Sequence, residues 1–112
     1  MDLTRRKQDE VVIFDLRGEL RGGPSDEAVF KGAVQEAIEE GARKILLNLA
    51  ELKWVNSTGL GFIVALYHSM KESGGTLKMC SPNERIAHVL HTTRFDRVIE
   101  IFDDEEEALA SF

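Results

Sequence analysis

Two hydroxyls stand back to back in the stretch LKWVNSTGLGFIVALYHSM, at Ser57 and Thr58. Gly59 and Gly61 follow them, and an apolar run from Phe62 to Tyr67 comes next. A serine where a helix begins can do one of two things. Its oxygen can cap the free backbone N–H groups of the first turn. Alternatively it can accept a phosphoryl group, because those N–H groups and the helix dipole favour an anion. Such a group adds about −1.5 to −2 charges at pH 7 and can block a protein contact without changing the fold. The glycines remove side chains from the first turn, so a second backbone or a protein partner can come close. Residue types alone leave both readings of Ser57 open.

Other chemistry is poorly provided for. The NSTGLG segment lacks the lysine and glycine cradle of a phosphate loop. No full dinucleotide fingerprint follows, and Val55 removes the Gly-x-Ser-x-Gly pattern of a nucleophile elbow. His88 and His91 lie three apart with Cys80 upstream, a spacing that supplies too few ligands for a metal site. Glu36, Glu39 and Glu40 suit a wet helix face. No catalytic constellation emerges, no cofactor is expected, and an enzyme is not the expected class.

These hydroxyls need elements to position them. Val11–Leu16 is β-branched and apolar and predicts a strand, with a weaker strand before it near Leu3–Lys7. Glycines and Pro24 in GELRGGPS make a turn. Pro24–Glu40 predicts a helix with Ser25 as N-cap, Asp26 and Glu27 complementing its dipole, and an inward face of Val29, Phe30, Ala33, Val34, Ala37 and Ile38. Lys44–Ala50 reads as a central strand covered on both faces, and a short loop through Trp54 leads to a helix from Ser57 to Ser73. That helix would be capped by Ser57 and buried along Leu60, Ile63, Val64 and Tyr67, with Leu66 and Met70 widening the stripe. Further predictions are a strand at Thr76–Ser81, a helix at Asn83–Thr92 with Ile86, Val89 and Leu90 inward, a strand at Val98–Phe102, and a last helix anchored by Leu109 and Phe112. Alternation of this kind gives an α/β fold, a mixed sheet with helices against it and parallel crossovers at its centre.

The bulk numbers agree. The 112 residues suit one domain spanning 1–112. With 43% apolar and 30% charged residues the chain is globular. A net charge of −6 argues against nucleic acid, and the one basic cluster, Arg5-Arg6-Lys7, reads as a solvated end. A single cysteine fits a reducing compartment. With no signal region and no apolar run long enough to span a bilayer, the default is a cytoplasmic protein without direct membrane insertion.

Three pieces of the chain carry a resemblance: VVIFDLRGEL, then KILLNLAELKWVNSTGLGFIVALYHSMKESGGTLKMC, then SPNERIAHVLHTTRFDRVIEIFDDEEEAL. Together they resemble the STAS domain family (sulfate transporter and anti-sigma factor antagonist), most of all its stand-alone bacterial antagonists. The resemblance implies the STAS fold, a mixed sheet of four to five strands flanked by about four helices. It also implies a partner switch. The unphosphorylated antagonist binds an anti-sigma factor that is itself a serine kinase and so frees a sigma factor. Phosphorylation of the motif serine, which falls on Ser57 with Thr58 as second candidate, releases the pair, and a phosphatase resets it. The implied partner surface comprises Glu19, Arg21, Gly22, Gly23 and Ser25 together with Trp54, Asn56, Ser57, Thr58, Gly59, Leu60 and Gly61. Two positions depart from the family pattern. Asn56 stands where an Asp is usual, and Arg21 ends a turn that is usually acidic. The alternative is a STAS subunit that does not switch, in a lipid-transport complex or a signalling scaffold, whose Ser57 only caps its helix. Whether the chain forms a homodimer is left open by the sequence.

Overall fold

The computed structural model describes residues 1–112. Five strands form one sheet in the order of the chain: β1 (Asp2–Gln8), β2 (Val11–Leu20), β3 (Lys44–Val55), β4 (Thr76–Cys80) and β5 (Ile101–Phe102). β1 and β2 are an antiparallel hairpin, while the β2–β3, β3–β4 and β4–β5 pairs are parallel. Four helices, α1 (Pro24–Glu39), α2 (Ser57–Glu72), α3 (Glu84–Thr92) and α4 (Glu105–Ala110), complete the alternation, with one 3-10 turn at Phe95–Arg97.

Side-chain alternation along the strands separates two apolar layers. Val12, Phe14 and Leu16 of β2, Ile45, Leu47 and Leu49 of β3, and Leu77 and Met79 of β4 point to one face. There they meet Phe30, Val34 and Ala37 of α1, Leu60, Ile63, Leu66 and Met70 of α2, and Ile86 and Leu90 of α3. The intervening residues Val11, Ile13, Leu46 and Cys80 point to the other face and meet Ala108 of α4, edged by Phe102, Leu109 and Phe112. The near-continuous apolar run of β3 thus has the predicted cause: it is covered on both sides.

Several boundaries differ from the sequence reading. β3 continues to Val55, so Trp54 lies in a strand opposite Glu19 rather than in a loop. Irregular register between Gly18 and Glu19 lets the two strands run on together. Cross-strand pairing there outweighs the polar composition of AELK. The buried stripe of α2 is Gly59, Leu60, Ile63, Leu66 and Met70, while Val64 and Tyr67 are only half-buried. Val29 of α1 is exposed, and Val89 of α3 is half-buried. β4 ends at Cys80, because Ser81 turns away with a left-handed φ of 60°. The last strand keeps only two residues: the 3-10 turn takes up the chain before it, and Val98 is 53% exposed.

The basic cluster is not a free solvated end. Arg6 donates from Nε and Nη2 to Asp15 at 2.6 and 2.8 Å, and also pairs with Glu105 at the start of α4. Asn48 donates to the same Glu105 at 3.0 Å. The Arg6 guanidinium holds the Glu105 carboxyl below its ordinary value. The buried Lys78 ammonium donates to the carbonyl and hydroxyl of Ser111 at 2.9 and 2.8 Å and sits 4.9 Å from the Phe112 ring. Burial beneath this layer pushes the Cys80 thiol up to about 11.

Candidate functional site

The first turn of α2 is built by Asn56, not by Ser57. Asn56 is extended (φ −108°, ψ −179°), and its Oδ1 accepts the Gly59 N–H at 2.8 Å. Its carbonyl accepts the Leu60 N–H at 2.9 Å. The expected cap at Ser57 is therefore corrected by one residue. Asn is as good an N-cap as Ser, and taking that role leaves Ser57 at the first helical position with its hydroxyl uncommitted. Ser57 and Thr58 are both exposed. No acidic side chain lies in this first turn, so the positive end of the helix dipole is not already neutralised there.

The turn between β2 and α1 lies against this helix start. The Asn56 N–H donates to the Leu20 carbonyl at 3.3 Å. A Cβ on Gly59 would collide with that carbonyl oxygen and fall 2.9 Å from Leu20 Cγ. Gly59 thus admits a neighbouring backbone from its own fold, one of the two approaches its glycine allowed. Gly22, at φ +78°, lies on Thr58, where an added Cβ would fall 2.8 Å from the Thr58 carbonyl carbon. Gly61 is exposed, with open space where a side chain would be.

The predicted cap at Ser25 is also displaced. Gly23 is the N-cap of α1 without any side-chain bond, Pro24 opens the helix, and Ser25 is exposed. The organising side chain is Asp26, only 6% exposed. Its Oδ2 accepts the Arg21 N–H at 2.7 Å and the Gly22 N–H at 3.2 Å, and its Oδ1 accepts the Met1 ammonium at 2.9 Å. Burial alone would raise this carboxyl, but the ammonium and the backbone donors hold it below its ordinary value. The sequence reading gave Asp26 only a dipole role. Asp26 reaches back past the Gly23 cap to the N–H groups of the two residues before it, a contact that the local spacing does not announce.

Beside the hydroxyls lies a charged and aromatic patch. Arg21 pairs with Glu19 at 2.8 Å and stands 5.9 Å from the Trp54 ring centre. Of the residues implicated by sequence, Glu19, Arg21, Gly22, Trp54, Asn56, Ser57 and Thr58 come together in this region. Leu60 does not contribute surface: at 5% exposed it belongs to the core, and Gly59 is buried beside it. The histidines form no cluster. His91 bonds to Asp96 at 2.8 Å, and no group of three or more His, Cys, Asp or Glu side chains is placed to hold a metal ion. No helix is long and apolar enough to cross a membrane.

The family model of the STAS domain matches residues 2–108. The chain belongs to the STAS family. A Thermotoga maritima protein with a provisional anti-sigma factor antagonist name is 36% identical over 102 residues, 90% of this chain and 88% of that one. The crystal structure of a Thermotoga maritima protein so named superposes with a TM-score of 0.88 at 33% identity, covering 97% and 92% of the two chains. The anti-sigma F factor antagonist of Paenibacillus polymyxa is 31% identical over 100 residues, 88% of this chain and 84% of that one. SpoIIAA, an anti-sigma factor antagonist solved in its unphosphorylated form, shares the fold with a TM-score of 0.75 at 20% identity, covering 98% and 96% of the chains.

Proposed function

We propose that this STAS protein is an anti-sigma factor antagonist switched by phosphorylation of Ser57. The observation that carries the reading is the first turn of α2: a hydroxyl left free because Asn56 does the capping, at a helix start with no acid of its own, beside the Arg21–Trp54 patch. The names of its relatives support the same reading, and SpoIIAA has been solved in a phosphorylated form as well.

In the unmodified state the turn Glu19–Gly23 and the start of α2 form the docking surface for an anti-sigma factor with serine kinase activity. Arg21 and Trp54 are residue types that dominate interface energetics. In the switching step the Ser57 Oγ attacks the γ-phosphorus of ATP held by that kinase. An O–P bond forms, the β–γ bridge breaks, ADP leaves, and the hydroxyl proton passes to the kinase or solvent. The antagonist's own fold tolerates the product, because an anion at a helix N-terminus is favourable. The docked kinase must bury the new charge or leave, and burying an uncompensated charge is costly. A phosphatase removes the group and restores docking.

Incubation with ATP and the serine-kinase anti-sigma factors of the same organism, followed by mass-spectrometric mapping, tests the assignment. Phosphate on Ser57 is the expected result. Phosphate on Thr58 alone, or on neither hydroxyl with every such kinase, overturns it and favours a STAS subunit that does not switch.

A further inference from the structure

The docking surface of the proposed switch is assembled from two separate segments, the β2–α1 turn and the start of α2. The β2–β3 ladder ends at Leu20 and Val55, and no ladder or helix holds the chain from Arg21 to Gly23 before α1 begins at Pro24. What fixes the first segment is a single buried carboxylate. Asp26 takes the Arg21 and Gly22 N–H groups on one oxygen and the Met1 ammonium on the other. What joins the first segment to the second is backbone contact: Gly22 on Thr58, and the Leu20 carbonyl against Gly59 and the Asn56 N–H.

We infer that Asp26 is the positioning residue of the partner surface: from beneath the turn it holds Arg21 and Gly22 against the first turn of α2, so that Arg21 and Ser57 are presented to the kinase as one preformed unit. This rests on the proposed switch. Asp26 is buried beneath the turn, so its contribution is preorganisation. A turn already in its bound shape spares the partner the entropy of ordering it. Glycine makes the device necessary. Gly22 is required by its left-handed φ and by the closeness of Thr58, yet glycine is the residue with the most freedom to lose. The sequence Arg21-Gly22-Gly23 would be loose without an anchor, and Asp26 supplies it from the rigid first turn of α1.

Asp26→Ala and Asp26→Asn test this, with Val34→Ala in the α1 core as a control for general destabilisation. Hydrogen exchange on the isolated proteins reports the coupling. In Asp26→Ala the amides of Arg21 and Gly22, and across the contact those of Asn56 and Gly59, should exchange about ten-fold faster, with the β3 core unchanged. Asp26→Asn keeps an acceptor oxygen and should fall between. In the kinase assay Asp26→Ala should raise KM for the antagonist about ten-fold with kcat within about two-fold, as expected when uniform binding is lost. Val34→Ala should melt earlier yet keep its KM. Folded variants with unchanged exchange at Asn56 and Gly59, or an unchanged KM, overturn the inference. If Asp26→Ala does not fold, Asp26→Asn decides alone, and if neither folds, Asp26 is a folding residue and the inference falls. Should no kinase modify Ser57 in the wild-type protein, the proposed switch fails and the exchange arm still decides the role of Asp26.

Discussion

α2 and α4 both begin with a side-chain cap from an Asn or Asp, and there the likeness ends. Asn56 caps α2 without charge, no acid follows in the first turn, and two hydroxyls face solvent. Asp104 caps α4 by accepting the Glu107 N–H at 2.8 Å, and Glu105, Glu106 and Glu107 crowd the same turn. Glu105 is then bound to Arg6 and Asn48. Negative charge is spent at α4 to fasten a six-residue helix over the second face of the sheet. At α2 it is withheld. A helix start that already carries carboxylates has nothing to gain from a phosphate, whereas one held neutral can register its arrival. The two ends thus divide into a clasp and a switch.

The largest effect expected from breaking this division is at Ser57. Ser57→Asp places at α2 the kind of charge that α4 already carries. It should lower affinity for the anti-sigma kinase about 100-fold, about 2.7 kcal/mol, because the partner meets a charge it must desolvate. The isolated variant should melt at or slightly above the wild-type temperature. Calorimetric titration and thermal melts separate the two outcomes, and wild-type binding by Ser57→Asp would remove charge exclusion as the mechanism. Ser57→Ala should change stability by less than about 0.5 kcal/mol, since the hydroxyl caps nothing.

Next in size is the clasp. Arg6→Ala leaves Asp15 and Glu105 facing each other with no cation between them. The network is partly exposed, so a loss of about 1–2 kcal/mol is expected, seen as a melting point lower by about 4–8 °C. Affinity for the kinase and the rate of Ser57 phosphorylation should not move, because the clasp lies on the sheet face away from α2. A loss of partner binding in folded Arg6→Ala would show that the two ends are not independent.

The elements of both ends were legible from local pattern. Apolar periodicity and turn residues found every helix and strand of the sheet, because burial on one or both faces leaves a mark in sequence, but they stopped β2 at Leu16 and β3 at Ala50, short of the observed ends at Leu20 and Val55. The motif around Ser57 was legible too, through its resemblance to the STAS family. What escaped was decided by partners distant in sequence. Whether Asn56 or Ser57 caps α2 depends on where β3 ends, and that depends on its pairing with Glu19 and Leu20 in β2. The role of Arg6 needed Glu105, 99 residues away. Asp26 looked like an ordinary first-turn acid because its donors, Arg21, Gly22 and Met1, are brought to it only by the fold.

A smaller test sharpens the contrast at the cap itself. Asn56→Ala removes the acceptor for the Gly59 N–H and should cost about 0.5–2 kcal/mol. Asn56→Asp keeps the acceptor and adds charge at the helix start, for a gain of about 0.3–1 kcal/mol in the unmodified protein. That gain should vanish once Ser57 carries a phosphate, because two anions then share one turn. Melts of both variants before and after phosphorylation check that loss. Equal gains in both states would mean that Asn56 is neutral for a reason other than keeping the turn free for phosphate.

The smallest effect is acid titration, and it probes the two regions separately. Arg6, then Asn48, keep Glu105 below its ordinary value of 4.5 in the folded protein. The unfolded chain therefore binds more protons as the pH falls through that range, and the stability Glu105 contributes, complete above about pH 4.5, drains as the pH descends toward the lowered native value. Asp26 follows the same sign from a lower start, its ordinary value being 3.8. On acidification the amides of Glu105–Phe112 should shift only below about pH 4.5 and those of Arg21, Gly22 and Gly59 only below about pH 3.8, in a residue-resolved titration by NMR. Added salt should bring the α4 transition to higher pH, because the Arg6 network is partly open to solvent and can be screened, and should leave the buried Asp26 anchor nearly where it was. If the turn at Arg21 and Gly22 opens above about pH 3.8, where Asp26 is still ionised, the carboxylate does not hold it and Asp26 is not strong enough to preform the surface above it.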